Sequence, residues 1–394
     1  MRPLCFALAG QQALEGTNWS TFQISVQRKA NKVIDVASKT DIEWTDFSWN
    51  VLRGCSRISE GCRNCYAEVV ANRFKEPGLP YEGLITKTGQ WNGQVRVIEK
   101  LMDQPLRWRK PRRIFVNSMS DIFHENVDDY TIRRIFDVMA QAKQHTFQIL
   151  TKRVERMHQL LSLWDQVGIT GEHFHGHPLK NVWLGVSAED QATADERIPL
   201  LLQTPAVVRW LSIEPLLGPV DLTALPSASG IGRHLDALSN AGVDPGALIP
   251  SKIDWVVVGG ESGPNARPMH PDWARALRDQ CQAADVPFFF KQWGEWRPIC
   301  QGESEWYQPI YRSNRIAKAG ESQEVLDELW GRQCTVQELC LRNDGQHTSI
   351  TGLGAWQQGA APVQAFKVGK KAAGRQLDGR EWNEYPDQGQ IPNE

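Results

Sequence analysis

The sequence predicts an α/β protein, a partial (β/α) barrel of about six or seven parallel strands, TIM-like in outline, followed by a C-terminal accessory region. Two observations carry this expectation and a third selects the barrel. Short, nearly continuous apolar segments recur between residues 41 and 296, as strands covered on both faces require. Amphipathic stretches at helical spacing alternate with them, which implies parallel βαβ units with right-handed crossovers. Nearly every strand candidate is followed at once by a charged or hydrogen-bonding residue, where barrel enzymes carry their chemistry.

Strand candidates lie at 47–52, 114–117, 146–150, 182–186, 207–213, 254–258 and 287–290. Residues 129–143 read as a helix because Ile132, Ile135, Phe136, Val138 and Met139 recur at helical spacing. Residues 192–203 follow a strand, and 271–284 open on Pro271 and carry Trp273, Ala276, Leu277 and Cys281 on one face. At the strand ends stand Asn117, Ser118 and Asp121 with His124 close behind; then Lys152 and Arg153; Ser187, Glu189 and Asp190; Glu214; Gly259, Gly260 and Glu261; and Lys291, Gln292 and Trp293. Strand ends are commonly polar in any α/β protein, so a buried ion-pair network that only stabilises the barrel competes with the functional reading. The chain divides into a poorly structured extension (1–38), a barrel domain (39–298) with a passive surface insertion at 222–251, and the accessory region (299–394).

Bulk properties exclude several classes. Hydrophobic residues make up 41% and charged ones 23%, as in an ordinary globular enzyme, and the net charge of −2 provides no global field toward nucleic acid or anionic lipid. A local basic groove remains compatible with that balance. No apolar run approaches the roughly 20 residues of a membrane span, and the opening MRPLCFALAG is a poor signal peptide, so a cytoplasmic protein without membrane association is expected. Neither a GxGxxG nor a P-loop signature is present, which disfavours a dinucleotide or NTP fold. The 16 tryptophans, many in turns beside strands, favour aromatic-lined pockets, although most of them read as plain core.

Of eight cysteines, Cys55, Cys62 and Cys65 lie within eleven residues, while Cys5, Cys281, Cys300, Cys334 and Cys340 are scattered. That is no disulfide framework; it reads as a reducing compartment with one metal site. In GCSRISEGCRNCYAE the three thiolates can converge on one soft centre, and Gly54 and Gly61 permit the tight turns of a wrapping loop. Residues 66–74 read as helical, so the loop sits between the first strand and its helix, on the catalytic face. Zinc would need a fourth ligand, absent locally but available from a remote Cys334 or His. Three buried free cysteines are the second alternative. A [4Fe–4S] cluster on three thiolates, leaving one iron open, is the third.

With a cluster in place, Asn117, Ser118 and Asp121 suit an ammonium or ribose group, and Lys152 with Arg153 a carboxylate or phosphate. Glu189, Glu214 and Glu261 are acceptors or proton-transfer groups, with Lys291 as counter-charge. The alternating His173, His175 and His177 could gather a metal but fall in a Gly-rich connection that reads as solvated loop. The run LRWRKPRR (Arg107, Arg109, Lys110, Arg112, Arg113) could contact phosphates, yet it precedes the second strand and so belongs to the opposite face.

GCSRISEGCRNCYAE, together with IEWTDFSWN, IFVNSMSDIFHE, TFQILTKR, VWLGVSAED, LSIEPLLGP, WVVVGGESGP, PFFFKQWGEW and the closing VGKKAAGRQLDGREWNEYP, resembles the phage-encoded three-Cys-motif protein family over about residues 40–386. That family resembles a remote branch of the radical S-adenosylmethionine (SAM) enzymes. The resemblance implies a radical-SAM-like partial barrel, a cluster on the loop after the first strand, and SAM held by the unique iron and cleaved to a 5′-deoxyadenosyl radical. On that reading Tyr66, Asn117, Ser118, Asp121, Ser187, Glu189, Gly259 and Gly260 are candidates to bind SAM, and Lys152, Glu214, Glu261 and Lys291 to act in catalysis. A nucleoside or nucleic-acid substrate and a phage-operon partner protein are implied too. The sequence departs from the usual pattern: the spacing is six then two rather than three then two, Asn64 stands where an aromatic residue usually precedes the third cysteine, and Gly-Gly-Glu follows a late strand, at 259–261, rather than the second. The alternative, supported by the basic run, the Lys-rich tail and the tryptophans, is a metal-stapled (zinc or iron–sulfur) protein that binds nucleic acid or a partner without turnover.

Overall fold

In each strand apolar residues fall on both sides of the pleat, so both faces of the sheet need cover. The structure, a computed structural model, describes residues 40–168, 178–226, 234–239, 251–302 and 310–386. Seven strands lie side by side in chain order: β1 (Phe47–Trp49), β2 (Arg113–Val116), β3 (Thr146–Thr151), β4 (Val182–Ser187), β5 (Val208–Ile213), β6 (Trp255–Gly259) and β7 (Phe288–Gln292). Every pairing is parallel, and β1 and β7 are the two edges, so the sheet is an open half-barrel. The crossover helices are α2 (Asp129–Gln141), α3 (Val154–Val167), α4 (Gln191–Gln203) and α5 (Pro271–Ala283), while the short α1 (Tyr66–Asn72) follows the cysteine loop.

Alternation sorts the strand side chains. Ile114, Val116, Phe147, Ile149, Leu184 and Val256 face the helices and form the main core with them. Phe115, Trp183, Trp210, Trp255, Val257 and Phe289 face inward and, with Trp44, make a second cluster that floors the half-barrel. Trp210 and Trp255 are completely buried, and each buried indole stabilises by roughly 5 kcal/mol at ~25 cal/mol per Å². Gly185 on β4 makes room for them, since a Cβ there would lie 2.5 Å from the Trp210 ring. Above the floor the inward residues turn polar: Ser187 lies beside Ser212, and Lys291 reaches Glu214. The tryptophans are therefore mainly packing, with indole N–H groups of Trp49, Trp255 and Trp293 donating to backbone carbonyls of Leu101, Glu384 and Gln376.

Several expectations shift. The predicted strand 47–52 breaks after Trp49, because Leu52–Arg53 leave the sheet to pair antiparallel with Arg96–Val97. Helix α3 was not anticipated, although Met157, Leu160, Leu161 and Trp164 bury one face of it. Asp190 caps α4, and its carboxylate and Thr193 close a reciprocal capping box. The insertion at 222–251 contains a short pairing of Leu225–Pro226 with His234–Leu235, and Leu222, Leu225 and Leu238 join the main core. The histidines at 173–177 and the extension at 1–38 lie outside the described residues. Among the described residues no helix is long and apolar enough to cross a membrane.

Past β7 the parallel pattern stops. β8 (Trp296–Pro298), β9 (Glu338–Leu341), β10 (His347–Thr348) and β11 (Val363–Lys367) form a four-stranded antiparallel sheet. The chain then returns to the barrel: Ala373, Leu377 and Trp382 enter the main core, and Asn383 pairs antiparallel with Phe289, covering the edge of β7. This return is clamped at Asp378, whose carboxylate accepts from Arg275 Nη2 (2.7 Å), Arg278 Nη1 (2.7 Å) and Gln301 Nε2 (2.8 Å). The Arg275 bonds, joined by Gln301 and Arg278, outweigh desolvation and hold Asp378 well below the usual carboxylate range. A carboxyl with a lower pKa folded than unfolded contributes stability that is fully present above about pH 4 and is lost as pH falls toward the folded value. D378N is expected to lower unfolding stability at pH 7 by on the order of 1 kcal/mol, with the gap to wild type closing in acid. Urea midpoints at pH 7 and pH 3 check this; a gap unchanged at pH 3 would mean that charge plays no part in the clamp.

Candidate metal centre

The cysteine loop leaves the hairpin strand at Gly54, which bridges to Ser120 just beyond β2. Gly54 has φ +97°, and a Cβ there would run into the carbonyl oxygen of Gln94, so only glycine fits. The loop thus begins at the C-terminal mouth of the half-barrel. Glu60–Cys62 make one 3₁₀ turn, and Cys65 opens α1. All three cysteines are free and partly buried.

Their sulfurs share one electrostatic neighbourhood. Burial pushes the Cys55 thiol up to about 12, with Asp121, Cys65 and Cys62 adding and the Arg153 guanidinium opposing. Burial also raises the Cys65 thiol, opposed by the backbone N–H groups of Glu68 and Ala67 that face its sulfur. Without a cation these two thiols stay protonated at neutral pH; binding a metal would release the protons.

Three strand-end networks grip the loop. On the Cys55 side, Arg153 Nη1 lies 3.8 Å from Sγ of Cys55, while its fork bonds Asp121 (3.2 Å), Glu125 (2.9 Å) and Ser56 Oγ (2.7 Å). Asp121 also accepts from Thr151 Oγ1 (2.8 Å) and the Lys152 amide (3.1 Å). Because His124 Nδ1 accepts the Asn126 amide, its Nε2 carries the proton and donates to Ser56 Oγ (2.9 Å). On the Cys62 side, Ser59 Oγ donates to Glu189 (3.2 Å), which also pairs with Lys152 and with Arg197 (3.2 Å). Gly61 allows this approach, since a Cβ would strike the Glu189 side chain. Glu189 is depressed despite strong desolvation, because Lys152 and Arg197 flank it. On the third side, Asn64 Nδ2 donates to Glu261 (2.9 Å), and Arg267 joins Glu261 (2.7 Å) to the Glu60 carbonyl (2.9 Å).

The structure therefore brings Asp121, Lys152, Glu189 and Glu261 to the loop, engaged with one another's neighbours rather than standing open. Tyr66 Oη donates to the Ser118 carbonyl (2.6 Å), and Ser118 Oγ to Asn50 (3.0 Å). Asn117, at φ +62°, accepts the Leu52 amide (3.0 Å), which leaves its buried Nδ2 without a partner among the described residues. Gly259 and Gly260 serve close packing: Cβ atoms there would meet Glu214 Oε1 at 2.9 Å and the Trp293 carbonyl. Glu214 and Lys291 pair at 2.8 Å in a separate inward group joined by Gln292, whose buried Oε1 also has no partner among the described residues. Sequence reasoning missed Ser59, Arg197, Arg267 and Ser212. Arg197 alone left a signal, a charge nearly two turns into an otherwise apolar helix face. A cavity of about 840 Å³ opens at the other end of the barrel, past Lys180, Lys252 and Tyr385, far from this chemistry.

The donor set suits a soft metal centre. Among the described residues no group of three or more His, Cys, Asp or Glu side chains is placed to hold a metal ion. A lone tetrahedral ion with roughly 2.3 Å metal–sulfur bonds needs its sulfurs about 3.8 Å apart. An iron–sulfur cluster spreads its thiolates wider, because each binds a different iron. Three thiols of one loop, within electrostatic reach of one another and with N–H donors facing the sulfurs of Cys55 and Cys65, are the donor type that an iron–sulfur cluster takes.

Half-barrel and loop together define an α/β protein with three thiols at the C-terminal mouth of its sheet. The chain belongs to the DUF5131 family, described as protein of unknown function, whose profile matches residues 39–386. No curated protein matches it. Among solved structures it is similar to spore photoproduct lyase. A cysteine-to-alanine mutant aligns at 12% identity and TM-score 0.30, covering 46% of this chain, which spans 48% of the lyase. The lyase complexed with dinucleoside spore photoproduct aligns at 11% identity and TM-score 0.33, covering 75% of this chain and 77% of the lyase.

Proposed function

We propose that this protein is a cytoplasmic radical SAM-like enzyme that carries a [4Fe–4S] cluster on Cys55, Cys62 and Cys65 and modifies a nucleoside or nucleic acid. The observation that supports the reading is that three thiols of one loop lie at the barrel mouth within electrostatic reach of one another, with Arg153 directed at the Cys55 sulfur and backbone amides at that of Cys65. The motif resemblance to phage-encoded three-Cys-motif proteins supports it as well. Such a cluster, reduced by one electron, supplies reductive cleavage of SAM to methionine and a 5′-deoxyadenosyl radical that takes hydrogen from a substrate.

The chain's own residues then bind and orient. Asn117 offers a side-chain N–H without a partner among the described residues at the end of β2, and Ser187 and Ser212 line the inward face two and three strands away. Lys291, held by Glu214, presents a cation suited to a carboxylate or phosphate. The tryptophan floor excludes water from below. Lys152 and Glu261 contribute by fixing the loop, as do Glu189 and Asp121.

Anaerobically purified protein is expected to hold about four irons and four labile sulfides per chain, and to form 5′-deoxyadenosine from SAM with dithionite. Stoichiometric zinc without sulfide would overturn the cluster, and a loaded cluster inert toward SAM would overturn the chemistry. The mutual pairing of strand-end charges favours one second reading, a metal-stapled binding protein without turnover. C55A separates the two: an enzyme stays folded and loses product, whereas a stapled binder unfolds or keeps binding.

A further inference from the structure

We infer that Arg153 is a positioning residue that sets the reduction potential of the cluster, by aiming a guanidinium N–H at the Cys55 sulfur. The inference rests on the cluster reading above. It draws on how completely the guanidinium is fixed: Asp121 and Glu125 hold it from one side, and the Ser56 carbonyl (3.2 Å) and hydroxyl (2.7 Å) from the other. Ser56 is itself locked between His124 and Glu125. One further donor then remains directed at Sγ, at 3.8 Å. The side chain is about one-tenth exposed, so solvent weakens the interaction little.

A donor to a ligating thiolate stabilises the more negative, reduced state of a cluster and raises its potential. Asp121 acts in the opposite sense, since its carboxylate lies within electrostatic reach of the same sulfur. Residues that touch no substrate would thus set how easily the group accepts an electron. Lysine could keep the charge but not the fork, because an ammonium cannot satisfy Asp121, Glu125 and Ser56 while reaching the sulfur.

The test is the midpoint potential from an EPR-monitored redox titration of wild type, R153Q, R153K and D121N, with iron and sulfide assayed on each. R153Q should shift to a more negative potential, R153K should recover part of the shift, and D121N should move the other way. A wild type without iron and sulfide removes the cluster reading itself. R153Q that loads a full cluster at the wild-type potential overturns this inference while leaving that reading intact. If R153Q loses the cluster, D121N decides: a more positive potential supports the inference, and an unchanged one overturns it.

Discussion

C62S, purified without oxygen, is expected to lose nearly all labile sulfide, falling from about four per chain toward zero, while the C300S and C334S proteins keep the wild-type content. Each loop thiol holds a different iron in the proposed centre, so removing one leaves two anchors and a second iron without a protein ligand. Cys62 lies at the end of its 3₁₀ turn, with Ser59 Oγ 3.9 Å from its sulfur, and a serine there retains the size but not the soft donor. The outlying cysteines have other partners: Cys334 Sγ donates to the Val336 carbonyl at 3.3 Å, and Cys340 Sγ to Ala355 at 2.9 Å, both in the C-terminal region. Sulfide loss in C334S would bring back the remote fourth ligand of a zinc-like site. Inductively coupled plasma analysis and methylene-blue sulfide assays read these outcomes directly.

E189Q is expected to cost about 3–5 kcal/mol of unfolding free energy, although Glu189 lies on neither the cysteines nor the floor. Its side chain is 1% exposed, and Arg197 beside it 2%, so removing the carboxylate charge leaves buried cations uncompensated. Glutamine keeps the shape, which confines the loss to electrostatics. The same carboxylate receives Ser59 from the cysteine loop, so iron content should fall along with the urea midpoint. S59A removes a single neutral-donor bond and should cost only about 1 kcal/mol. Equal losses for the two variants would show that the ion pairs contribute nothing and that the loop contact alone matters.

The half-barrel was legible because its strands are apolar on both sides, which leaves little ambiguity with surface helices. Six of the seven strands both begin and end within about two residues of their expected limits. The first strand was not so readable: Leu52 and Val51 continue the apolar run, and only their pairing with residues after position 95 draws the chain away. Helix α3 was hidden by its charged opening, Lys152 to Arg156, although its buried face keeps the expected period. In the candidate site, residue types were visible but partners were not. Lys152 and Glu189 are 37 positions apart, and Asn64 and Glu261 are 197 apart, so no local pattern could show that they meet. The competing expectation, an ion-pair network at the strand ends, describes most of these contacts, the Glu214–Lys291 pair included; Asn117 and Ser187 are what it leaves over.

The tail that returns beneath the barrel has a consequence for the order of events in biosynthesis. Trp382 and Tyr385 complete the packing of β7 and the floor, and Tyr385 reaches the Glu43 carbonyl (3.5 Å). They are translated more than three hundred residues after Cys65. Throughout that interval a nascent chain carries its thiols on an unfinished scaffold, so a metal centre of the kind proposed for the loop would meet its completed surroundings only after these residues have been made.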